Sequence, residues 1–181
     1  MTIGEQIPVI GNWFQLYFIE NEGMAFGLSF GQSIGKLILT LARIGIAGFL
    51  IYYLLKLIKN DKVGILVVVI FSLIIAGALG NILDSIFYGL IFNESTPFTV
   101  ATCFPDGGGY SKIFLGRVVD MFYLKLFYMP EWVPLWGGSY FFPAIFNVAD
   151  ACVTVGIVLM LVFNKKIFIE EKKEKSGEIV E

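Results

Sequence analysis

Apolar residues in this chain gather in three long runs. Val63 to Leu83 carries no charge and reaches the ~20 residues that a helix needs to cross a bilayer. Tyr140 to Phe163 is interrupted by one charge, Asp150, and Ile34 to Ile58 holds Lys36, Arg43 and Lys56 among apolar neighbours. The pattern therefore predicts transmembrane helices over 34–58, 63–83 and 140–163. Outside these runs the spacing changes. Phe14, Leu16 and Phe18 alternate with Gln15, Tyr17 and Ile19, which suits a strand. Gly23, Gly27 and Gly31 then imply turns. Between 84 and 139, Pro97, Pro105, Pro130 and Pro134 and the run Gly107-Gly108-Gly109 break up any long element. That segment is also rich in Phe, Tyr and Trp, which favour the membrane interface. The expected fold is mainly α and polytopic. It has three membrane helices, a small β element over 1–33 and an aromatic-rich interfacial segment over 84–139.

Composition supports the membrane class. Hydrophobic residues make up 57% of the 181 and charged residues only 15%, against about 25% in a soluble domain. The basic residues set the orientation. Lys56, Lys59 and Lys62 flank the short link between the first two runs, and Lys165, Lys166, Lys172, Lys173 and Lys175 follow the third. The positive-inside rule places these in the cytoplasm. Residues 1–33 and 84–139 are then external, 1–166 form one membrane-embedded domain, and 167–181 form a charged cytoplasmic tail. An external start without a preceding span or targeting signal predicts a first span upstream of residue 1. The net charge of -2 gives no reason to expect nucleic acid as a partner. The sequence has no His, which excludes His-based triads and His-ligated metals. Cys103 and Cys152 cannot form a Cys-rich metal site, so neither metal nor organic cofactor is expected.

Acids inside membrane spans are costly and mark function. At ~1.5 Å per residue, Asp150 lies roughly 20 Å from the inner end of its run, about 10 Å below the outer edge of a ~30 Å core. Asn81 and Asp84 fall near the outer end of theirs. Asn81–Asp84 and Asn147–Asp150 share an i, i+3 spacing, so each helix offers an amide and a carboxylate on one face. Helix capping could explain Asn147 and Asp150. It would not explain Asp84, which is expected at a helix end where negative charge is disfavoured. Asp120 follows Gly116-Arg117-Val118-Val119. It could be a surface acid paired with Arg117 or Lys125, or one half of a carboxylate pair. Two close carboxylates do not both ionise easily. One can activate water while the other donates a proton.

Four runs now stand together in order: Glu20-Asn21-Glu22-Gly23-Met24-Ala25-Phe26-Gly27, Gly80-Asn81-Ile82-Leu83-Asp84, Gly116-Arg117-Val118-Val119-Asp120 and Phe146-Asn147-Val148-Ala149-Asp150. They resemble lipoprotein signal peptidase (signal peptidase II) across nearly the whole chain. The resemblance implies a bacterial inner-membrane aspartic peptidase that cuts prolipoproteins before a diacylglyceryl-modified cysteine. Its site would face the periplasm. Asp120 and Asp150 would be the catalytic pair. Asn21, Gly23, Asn81, Asp84, Arg117 and Asn147 would bind substrate or hold the acids. Membrane lipid is the other partner, and a monomer is expected. The family has four spans, one more than this chain shows, and usually places Arg after the acid at position 84, where this chain has Ser85. Arg117 and Arg43 are the substitutes nearest by sequence and depth, although Arg43 could simply snorkel to the outer interface. The segment from Phe92 to Phe114 reads as an insertion relative to shorter members.

Two other classes make different predictions. A small transporter or channel subunit would spread its acids through the membrane depth. A non-catalytic scaffold would depend on Asp120 and Asp150 only for stability.

Overall fold

The computed structural model describes residues 1–22, 32–59, 63–134 and 137–164. Gly23 and the tail 167–181 lie outside the described residues. Seven elements follow in order: β1 (Gln6–Ile10), β2 (Phe14–Asn21), α1 (Gln32–Lys59), α2 (Ile65–Ile91), β3 (Val118–Leu124), β4 (Ile145–Phe146) and α3 (Val148–Val162).

They fall into two compact units. The first holds Met1–Thr40 and Leu83–Asn147, and the second holds Leu41–Ile82 and the residues from Val148 onward.

The first unit is built on a four-stranded antiparallel sheet in the order β1-β2-β3-β4. The alternation at 14–18 does form a strand, β2. Its register against β3 shifts between Leu16 and Ile19, which sets Ile19 opposite Asp120. Side chains on a strand alternate faces, so Val118, Asp120 and Phe122 point the same way. Phe14, Phe122 and Phe146 form a ladder of rings across three strands, with centroids 5.8 and 5.9 Å apart. Such cross-strand aromatic pairs help fix the register around Asp120.

The second unit is helical, and α1 and α2 each contribute residues to both units. The stretches Ser33–Lys59 of α1 and Ile65–Ile91 of α2, 27 residues each, are long and apolar enough to cross a membrane. Only 17% and 33% of their most apolar windows are buried within the protein. A core helix of a soluble protein would be mostly buried, so the exposed Ile34, Ile38, Leu41, Ile46 and Phe49 suit contact with lipid. Lys56 and Lys59 in the last turn of α1 complement the negative end of its dipole. Glycines let α2 and α3 approach closely. A Cβ on Gly77 would run into the Ala149 carbonyl and the Val153 side chain, and one on Gly156 would strike Ile74.

Two predicted boundaries need correction. The run 63–83 is the start of a longer helix, because α2 continues to Ile91. Asp84 is therefore inside a helix, and the segment expected from 84 begins after residue 91. The added turns carry small residues, Ser85 and Gly89, four residues apart, where the backbone packs closely. A Cβ on Gly89 would press on Ser111 and Gly116. The second correction concerns 140–163, which is not one helix. Phe142 has a positive φ of 60°, Pro143 follows it, and Ile145–Phe146 pair with β3. Only Val148–Val162 is helical, 15 residues or ~22 Å, which is short of a ~30 Å core.

Candidate active site

Asp120 is 2% exposed, at the middle of β3. Asn21, the last residue of β2, donates its Nδ2 to Asp120 Oδ2 at 3.0 Å. Asn147 donates its Nδ2 to Asp120 Oδ1 at 2.8 Å. Both carboxylate oxygens are thus held by amide donors. This overturns the surface-acid reading of Asp120, since the acid is buried in the sheet unit.

Arg117 is committed to a different set of groups. Its Nε meets Glu22 at 2.8 Å, its Nη1 meets Glu20 at 2.9 Å, and its Nη2 meets Glu94 at 3.2 Å. Its guanidinium also lies 5.1 Å from the centroid of the Tyr110 ring. Burial opposes the charge on Arg117, but its hydrogen bonds to Glu20 and Glu22 outweigh that and raise its pKa further. Burial also pushes the Tyr110 hydroxyl up, while the backbone N–H of Arg117 donating to it acts the other way. Glu22 accepts from Lys36 Nζ as well, at 2.8 Å. Burial works against its charge, yet the bonds from Lys36 and Arg117 hold Glu22 below its ordinary value of 4.5. Sequence reasoning missed this cluster of Glu20, Glu22, Glu94 and Lys36. The signal available was Lys36 itself, a cation near the start of an apolar run, where a charge needs a partner; in the fold it is only 5% exposed.

In the helical unit, Asp150 sits in the first turn of α3, where the helix dipole favours an acid. Asn81 on α2 donates its Nδ2 to Asp150 Oδ1 at 2.8 Å. The amides of the i, i+3 motifs therefore reach carboxylates of other motifs: Asn81 serves Asp150, and Asn147 serves Asp120. A cavity of about 280 Å³ adjoins Asp150 and is lined by Arg43, Ala78, Asn81, Val153 and Thr154. Asp84 shares a hydrogen bond with Tyr88, one turn on along α2, which suits a bracing role. Ser85 is 2% exposed, and its carbonyl accepts from the Gly116 N–H at 2.8 Å. Among the described residues, no cluster of acids and cysteines is arranged to hold a metal ion.

The family model for signal peptidase (SPase) II matches residues 1–165. A lipoprotein signal peptidase from Porphyromonas gingivalis is 49% identical over 166 residues, covering 90% of this chain and 71% of that protein. One from Amoebophilus asiaticus is 38% identical over 178 residues, covering 96% and 70%. A solved bacterial membrane enzyme, determined in meso at 1.9 Å resolution, is similar with a TM-score of 0.55 and 28% identity, over 90% of this chain and 76% of that one. A second, at 2.3 Å, has the same TM-score at 23% identity and supports the fold alone.

Proposed function

The chain belongs to the signal peptidase II family, and from that premise we propose that it is a membrane-embedded aspartic endopeptidase that removes signal peptides from prolipoproteins. Its substrates carry a diacylglyceryl-modified cysteine, and the bond cut lies just before it. The transporter and scaffold readings are not favoured.

Asp120 and Asp150 are the proposed catalytic pair. One, ionised, takes a proton from water as that water attacks the scissile carbonyl. The other, protonated, donates to the carbonyl oxygen or the leaving amine. Apparent pKa values belong to such a pair rather than to either acid. The supporting observation is the amide clamp on each acid: Asn21 and Asn147 on Asp120, Asn81 on Asp150. Fixed donors of this kind keep a catalytic oxygen in place during attack. Asn21, Asn81 and Asn147 are thus proposed as positioning groups, with Asp84 as a brace. Arg117 and Gly23 remain proposed substrate contacts. Arg117 would act from within its carboxylate cluster, and Gly23 rests on the family resemblance alone.

The proposed setting is the bacterial inner membrane, with the acids at the periplasmic side. Residues 1–166 are proposed to act as one catalytic domain. The short α3 is proposed to begin a third crossing. Monomeric function and contact with membrane lipid complete the reading.

The test is cleavage of a diacylglyceryl-modified prolipoprotein peptide by the parent, Asp120→Asn and Asp150→Asn. Both variants should fold and lose turnover. Near-parental turnover by either one would remove that acid from the mechanism.

A further inference from the structure

We propose that Arg43 is a substrate-contacting residue, whose guanidinium hydrogen-bonds a carbonyl oxygen of the bound prolipoprotein in the cavity beside Asp150. This rests on the peptidase reading above and names a contact within it.

Arg43 is placed where a cation is hard to keep. It lies on α1 among Leu39, Leu41, Ile44 and Ile46. It is eleven residues after Gln32 and sixteen before Lys59, so it sits ~16 Å and ~24 Å from the two helix ends. Ionisable groups that persist in such a place belong to a polar cavity or a working site.

The cavity supplies that setting. Its wall contains Arg43, Asn81, Asp150 and Thr154 as polar members, with Ala78 and Val153 completing it. At about 280 Å³ this open cleft has room for several waters. That is ample for a peptide or ester group beside an attacking water. A guanidinium brings five N–H donors in a rigid fork and no acceptor, so what it binds there is oxygen. A donor already held in place against a carbonyl stabilises the charge that develops on its oxygen during attack. The same contact would hold the substrate where Asp150 can act on it.

The carbonyl could belong to the peptide backbone or to the acyl esters of the lipid. The chemistry is the same, and the substrate can separate the two. Arg43→Met should lower kcat/KM for the diacylglyceryl peptide by about 10²-fold, and Arg43→Lys should recover part of the loss. In the inactive Asp150→Asn background, adding Arg43→Met should weaken binding of the same lipopeptide about tenfold, which is ~1.4 kcal/mol. Arg43→Gln, with its melting temperature recorded, guards against a folding defect. An equal loss on an ether-linked dialkyl analogue, which has no ester carbonyl, assigns the contact to the peptide. Disappearance of the loss on that analogue assigns it to the ester.

Parental kcat/KM in Arg43→Met and Arg43→Gln would overturn the proposal. So would unchanged lipopeptide binding combined with a displaced acid limb of the pH–rate profile, since Arg43 would then act on Asp150 alone. If Asp120→Asn and Asp150→Asn cleave normally, the peptidase reading itself fails. If they are inactive while the Arg43 variants are normal, only this inference fails.

Discussion

Asn147 reaches back 27 positions to hold Asp120, its Nδ2 standing 2.8 Å from Asp120 Oδ1. It is also the residue immediately before α3, where a polar side chain caps a helix. The two roles use different atoms of one side chain: Oδ1 can accept from the first N–H groups of the helix while Nδ2 donates to the acid. Asn147→Ala should therefore lower kcat by about 10²-fold, through misplacement of the carboxylate, with KM little changed. Asn147→Ser separates the roles. Serine caps a helix start well but cannot extend an amide to Asp120. Thermal melting should place the Asn147→Ser protein close to the parent, while its kcat falls with that of the alanine variant.

The approach of α2 to α3 gives a stability prediction. Gly77 faces the carbonyl of Ala149, the residue before Asp150. Alanine normally stabilises a helix relative to glycine by roughly 0.5–1 kcal/mol. Here the added methyl meets backbone that cannot swing aside. Gly77→Ala should lose about 1–3 kcal/mol instead and also lower turnover by shifting Asp150. Detergent melting curves alongside cleavage rates check both effects. A variant more stable than the parent would contradict the packing argument.

Glu22 predicts a pH dependence. Its folded pKa lies below its ordinary 4.5 because Lys36 and Arg117 donate to it against the cost of burial. A depressed acid stabilises the fold above the unfolded value, and that contribution is lost as the pH falls through the folded value. Glu22→Gln should therefore melt lower than the parent at pH 7, with the gap closing as the pH drops below about 4.5. A gap independent of pH would assign the effect to packing.

Arg117 predicts the opposite imbalance. Removing it leaves Glu20, Glu22 and Glu94 close together without their shared cation. Arg117→Met should destabilise the sheet unit at neutral pH and less so in acid, where the carboxylates can take protons. Its KM tests whether Arg117 also touches substrate: a rise beyond the stability loss would support contact.

The sequence carried the broad outline because its strongest signals were physical. The uncharged run after Val63 could hardly be anything but a membrane helix, and the alternation at 14–18 could hardly be anything but a strand. The misplaced boundaries arose where local chemistry misled. Asp84 looked like the end of a hydrophobic run, but α2 continues past it on small residues, Ser85 and Gly89, whose value lies in close packing. The run 140–163 looked continuous because hydropathy does not register the turn at Phe142-Pro143 or the pairing of Ile145–Phe146 with β3. Asp120 was ambiguous because its partners, Asn21 and Asn147, are 99 and 27 positions away. The i, i+3 spacing marked the correct amides but not the acids they serve.

The contact between Gly116 and α2 bears on how this protein's lineage could have changed. A Cβ on Gly116 would already collide with the Asp84 carbonyl, and the Gly116 N–H is bonded to the Ser85 carbonyl at 2.8 Å. Ser85 itself is 2% exposed, so even this small side chain is buried. A long cation at 85 would have to displace its surroundings to be accepted. Position 85 thus behaves as a one-way door. Later adaptation of this enzyme's substrate grip must come from residues elsewhere, and comparison of descendants should find variation at 85 confined to the smallest side chains.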